Sequence, residues 1–174
     1  SGQNLPRCVL GSARSIMTTI NAASMGTYGA TWVAHGYAGA GNVASLIDSL
    51  KGQTAIVVGS SFTVFTELEY ALRLEPQAVI FAVNDIGMFI PKVDHWVSLH
   101  ADNLGPWKAV RHIQQRNMEK TQYHSVTPRP VLDWCWEGLR PVFTLSGYFA
   151  MQIAHILGAE RIMLCGCPGE PARR

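Results

Sequence analysis

Charged side chains are scarce in this chain: 15% of 174 residues, against 48% that are apolar. A disordered polymer is excluded, because so much apolar surface demands a core. The formal charge of +2 is spread thinly, with no basic block and no basic–aromatic stripe. A nucleic-acid groove is therefore not expected, and Arg173-Arg174 reads as a solvated end. Cysteine is sparse too: Cys8, Cys135, Cys165 and Cys167 lack zinc-ligand spacing, and Cys165-Gly166-Cys167 has no second pair to match it. Free thiols in a reducing compartment are the reading, with no metal centre built from them. Apolar runs fall short of the ~18 residues that cross a bilayer, and no basic-then-apolar leader is visible, so no membrane partner and a cytoplasmic location are expected.

The length suits one domain with an extension. Residues 1–50 are crowded with Gly, Ala, Ser and Thr, as in Asn21–Thr31. Small side chains bury little area apiece, so this arm should lean on the main body or on a second copy, making a homo-oligomer through the arm a candidate. Val43–Leu50 is its one expected short helix. From Thr54 the rhythm changes. Thr54–Val58, Ala78–Val83, Asp94–Leu99 and Arg161–Cys165 read as short buried strands. Val64, Phe65, Leu68, Ala71 and Leu72 recur at helical spacing, with Thr63 as the expected N-cap and Pro76 beyond the end. Trp107, Val110 and Ile113 predict a second helix to about Arg116, and Ser146–Leu157 a third, apolar almost all round. Pro128 and Pro130 interrupt the stretch between them, which yields no assignment. Strands alternating with helices imply an α/β domain over 51–174, with a mostly parallel sheet in a three-layer, Rossmann-like arrangement.

Parallel sheets bind ligands beyond the carboxyl ends of their strands, near the reversal of strand order. That rule selects Gly59-Ser60-Ser61, Asn84-Asp85, His100, Asp102 and Gly166, and the helix start at Ser146-Gly147 joins them. The Gly59 turn can aim helix N–H groups at an anion, although a Walker ending is missing and an ordinary capped turn has the same sequence. Ser146-Gly147 offers the same at a helix whose dipole places roughly half a positive charge there, or else Ser146 simply caps it. Asn84 has one acceptor and two donors for a base or ribose edge, and Asp85 suits a ribose hydroxyl or a hydrated metal; an Asx-turn serves as well. His100 and Asp102 are the candidate catalytic pair, as base and orienter or as two metal ligands. His155 reads as a core histidine, and His35, His95, His112 and His124 are assigned no partner. Gly39-Ala-Gly41-Asn-Val-Ala44 is rejected as a dinucleotide fingerprint, since no strand precedes it and position 64 is valine where an acid is needed. Trp134-Cys135-Trp136 is assigned to packing ahead of stacking on a base.

Three of these segments together resemble a Rossmann-like group that includes bacterial CMP-sialic acid-dependent sialyltransferases and hydroxymethylpterin pyrophosphokinase-like proteins. Ile56–Val64 stands where that group has a G-x-G-P-S-L-like turn, without its Gly-Pro-Ser core. Phe81–Asn84 matches a strand ending in Asn, and Thr144–Gly166 a T/S-S-G turn, apolar helix, L-G and a strand ending in S/C-G. Val79–His100 is also similar to small phage or prophage proteins. The resemblance covers residues 54–166; the transferases' later tyrosines and histidine base lie outside it. It implies a small-molecule nucleotide or CMP-type nucleotide-sugar ligand, with magnesium an open companion, contacted by Gly59, Ser61, Asn84, Ser146 and Gly147. The activity it implies is glycosyl transfer; the rival expectation is a non-catalytic phage or bacterial assembly protein that retains the fold.

Overall fold

The computed structural model describes residues 18–21, 41–114, 116, 120–137, 139 and 145–167. Most of the Gly/Ala-rich arm, Cys8, His35, Gly39, Thr144 and the last seven residues lie outside that set. The ordered elements are β1 (Thr18–Asn21), β2 (Thr54–Val58), α1 (Val64–Leu74), β3 (Val79–Val83), β4 (His95–Val97), α2 (Ala101–Ile113), β5 (Gln122–Ser125), β6 (Trp134–Cys135), α3 (Ser146–Ile156) and β7 (Arg161–Cys165), with short 3-10 turns at Val43–Leu46 and Asn84–Met88. They form a Rossmann-like α/β domain around one sheet, ordered β1-β7-β2-β3-β4-β5-β6. Strands β7 through β6 run parallel, and β1 joins the edge antiparallel to β7.

The two faces of the sheet are covered in different directions of travel. From β2 the chain steps outward to β6, keeping α1, α2 and the intervening loops on one face, where Val64, Leu68, Ala71 and Leu104 meet Ile56, Ile80 and Trp96. Helix α3 then recrosses the opposite face, laying Phe149, Ala150, Ile153 and Leu157 on Val57, Phe81 and Ile162, and delivers β7 to the far side of β2. Strand order therefore reverses between β2 and β7. Leu46 and Leu50 are buried in the α3-side core, so the end of the arm does lean on the main body, as a 3-10 turn rather than an α-helix.

Three assignments change. The third strand shortens to His95–Val97, while α2 starts at Ala101, six residues before its expected first apolar position. Gly105 and Pro106 lie inside that helix; a proline there removes one backbone bond, and the exposed ring leaves the helix otherwise intact. The unassigned region contains β5 and β6, which widen the sheet by two strands.

Candidate functional site

The carboxyl rim of the sheet is assembled by backbone close approach. A methyl group on Gly59 would lie 2.4 Å from the Gly166 carbonyl oxygen and 2.8 Å from Cys167 Sγ. Only glycine admits this approach of the two strand ends. Gly59 N–H donates to the Cys165 carbonyl and Ser61 N–H to that of Gly166, so the loop after β2 is tied to the loop after β7. A methyl on Gly147 would sit 3.8 Å from the same Cys167 sulfur. The two serine-containing bends thus share one rim, with the Cys167 thiol between their glycines.

Asn84 connects to this rim through β4. Its backbone is left-handed, at φ 55°, a conformation that asparagine tolerates better than most residues. Trp96 Nε1–H donates to its carbonyl at 2.6 Å, and Ser98 Oγ–H donates to its Oδ1 at 2.8 Å. Ser98 Oγ in turn accepts from His100 N–H. With Oδ1 so engaged, the Nδ2 donors of half-buried Asn84 are bonded to none of the described residues. Next along, Leu99 N–H donates to Ser146 Oγ at 3.3 Å, so the consecutive residues Ser98 and Leu99 bridge Asn84 to the start of α3. The N-cap of α3 is Leu145, which supplies no side-chain cap, and Ser146 is the first helical residue. The expected cap by Ser146 is not formed; its oxygen serves Leu99 instead.

The first turn behaves differently from the last. Thr63 is the N-cap of α1, as expected, yet its hydroxyl donates to Glu67 Oε1 at 2.6 Å instead of capping the helix. The other oxygen, Glu67 Oε2, accepts from Gly166 N–H at 2.6 Å. A carboxylate already stands at the mouth of the Gly59-Ser60-Ser61 turn, which disfavours a phosphate there by like-charge repulsion. The α3 end carries no acid in its first turn and keeps the anion-binding character of a helix N-terminus.

Asp85 is half-buried in the turn after β3, beside Asn84. His100 is exposed at the head of α2. Asp102 is exposed and accepts from Arg129 through both carboxylate oxygens; that hydrogen bonding holds its carboxyl below the usual range. Asp102 is thus engaged by Arg129, and among the described residues no hydrogen bond joins it to His100 as an orienter. Burial pushes the Cys167 thiol up to about 11 and that of Cys165 to about 12, so both are protonated near neutrality and neither is a ready nucleophile. Among the described residues no cluster of three His, Cys, Asp or Glu side chains is placed to hold a metal ion.

Sequence reasoning missed Ser98, Glu67, Cys167 and Ser125. Ser98 was legible in principle, two residues before His100 at a strand end. Ser125 extends the β4–β5 register beyond the Val97–His124 pair, beside Ser98, and its hydroxyl is buried without a partner among the described residues. His95 and His124, given no partner from sequence, bond to each other. Trp134 and Trp136 pack within the fold, as assigned: Trp134 covers Gly41 and Trp136 is buried against His124.

Comparison with family models, curated proteins and solved structures finds no match to this chain. No helix among the described residues is long and apolar enough to cross a membrane.

Proposed function

We propose that the carboxyl rim binds a nucleotide or nucleotide-sugar, with the base against Asn84 and the phosphate at the first turn of α3. The observation that carries this reading is the fixed polarity of Asn84. Ser98 occupies its oxygen, so it presents donors, which suit the acceptor edge of a pyrimidine such as cytosine. Bridged to Asn84 through Ser98 and Leu99, the α3 terminus, which its N-cap Leu145 does not cap, offers backbone N–H groups and a favourable dipole for the phosphate. Glu67, which reaches Gly166 on the same rim, suits hydroxyl donors of a sugar. In a transfer from an activated sugar, the same N–H groups would stabilise charge developing on the leaving phosphate, and exposed His100 is the side chain left for a base.

The test is thermal unfolding against CMP, UMP, ADP and their sugar conjugates, with and without magnesium. Ligand at 100-fold above Kd stabilises by about 2.7 kcal/mol, a rise of several degrees in a domain of this size. Cytidine derivatives should give the largest rise, and Asn84→Ala should erase it. A flat response across the panel in the wild-type protein overturns the proposal.

A second reading rests on the rim's exposed apolar side chains: Phe62 is 98% exposed and Leu145 57%. These would suit a protein contact in the assembly role. Light scattering showing a stable oligomer that Phe62→Ser dissolves, alongside no response to nucleotides, would favour it.

A further inference from the structure

A buried polar chain crosses the sheet on the α3 side, apart from the rim. Trp136 Nε1–H donates to His124 Nδ1 at 3.0 Å, and His124 Nε2 lies 2.9 Å from His95 Nδ1. His124 is fully buried and His95 is 6% exposed. The indole can only donate, so His124 Nδ1 must accept and its proton must sit on Nε2. That proton is given to His95 Nδ1, which leaves the proton of His95 on Nε2. The direction of the chain is set at one end and admits no reversal.

An added proton finds no place in this arrangement. On His95 Nδ1 it would face the His124 N–H; moving the His124 proton to Nδ1 would only transfer the clash to Trp136. Either way one junction opens. We propose that the His95–His124–Trp136 chain is a proton-operated latch that holds β6 and Trp136 to the sheet.

The surroundings support this. Phe81 from β3 stacks on His95, with centroids 4.4 Å apart, and Trp136 lies along His124. Asp94, at the entrance to β4, favours protonation of His95 but is itself held by Lys92 and by Ile80 N–H. Helix α3 brings apolar side chains to this core, and Glu137 beside Trp136 acts on Cys135. Burial outweighs Asp94 and lowers His95 to about 4; burial, then His95, lowers His124 well below its usual value. What the latch holds is slight: β6 is two residues long, and Trp136 N–H and Leu139 N–H make the next bonds, to Ser125 and Trp136 carbonyls.

The test is NMR from pH 8 to 3.5 on the intact chain, reading histidine tautomers, the Trp136 indole proton and amide exchange. Both histidines should be neutral Nε2–H forms at pH 7. They should titrate well below 6.5, in step with movement of the Trp136 indole signal. Protection of Trp136 and Leu139 amides should fall at least tenfold while Ile56 and Val57 stay protected. Titration of either histidine near 6.5, or titration that leaves the Trp136 signal in place, overturns the latch. His124→Gln keeps the Trp136 bond on an amide oxygen that takes no proton, so the Trp136 junction should stay closed in acid even when His95 charges; release of Trp136 at the wild-type pH would also overturn the proposal. Neither measurement involves a nucleotide.

Discussion

In β2, β3 and β7 the buried positions are apolar: Ile56, Val57, Val58, Ile80, Phe81, Ala82, Ile162 and Met163. In β4, just beyond it and in β5, the sheet buries His95, Ser98, His124 and Ser125 among the apolar groups. The first region is held by area removed from water, which is non-directional and forgiving of small shifts. The second is held by hydrogen bonds whose donors and acceptors must alternate correctly, and an unmade bond there costs the full desolvation of the group. The same sheet therefore has one half sensitive to volume and another sensitive to protons.

The largest expected effect attacks the apolar half. Phe149→Ala removes a fully buried ring from the α3 face and should cost about 3–5 kcal/mol by urea titration, nearly the same at pH 5.5 and pH 8. A cost that varied strongly with pH would break the comparison. Next comes Arg111, buried on α2, whose guanidinium donates to the carbonyls of Gly87, Ile90 and Pro91. Arg111→Met keeps most of the volume but abandons those carbonyls, and should cost about 2–3 kcal/mol. Amide exchange should quicken first in the turn that carries Asn84.

The pH dependence sharpens the contrast further. The folded-state values of His95 and His124 are lowered, so the folded protein binds fewer protons than the unfolded chain as pH falls below 6.5. Stability should be full above 6.5 and decline progressively toward about pH 4, where His95 charges in the folded state. His124→Gln removes one of the two titrating groups and should make that slope shallower; an equally steep slope in the variant would assign His124's share to other groups. The smallest effect is Lys108→Ala, which removes an ammonium 4.5 Å above the Tyr123 ring and should cost about 0.5–1 kcal/mol in the same titration.

The apolar half was also the half legible in the sequence. Thr54–Val58 and Arg161–Cys165 are short runs closed by glycine, and both strands have those bounds. Gln122–Ser125 carries no such signal, because its polar residues are buried only by virtue of Trp136, His95 and Ser98 arriving from elsewhere. Pattern reading sees one chain position at a time and cannot supply those partners. At the rim, Gly59, Asn84, Ser146 and Gly147 were identified from strand and helix ends. Glu67 falls between the apolar positions of α1, and nothing local foretold its reach to Gly166.

The two-residue β6 has a consequence for behaviour in concentrated solution. Outer strands are where sheets of separate molecules zip together, and a margin this short offers them almost nothing to zip onto. Losing it would uncover β5, twice as long, and free the ladder groups that β6 and Trp136 now occupy. Acid would then exchange a blunt border for an adhesive one, and the protein would begin to stick to itself while most of its fold was still in place.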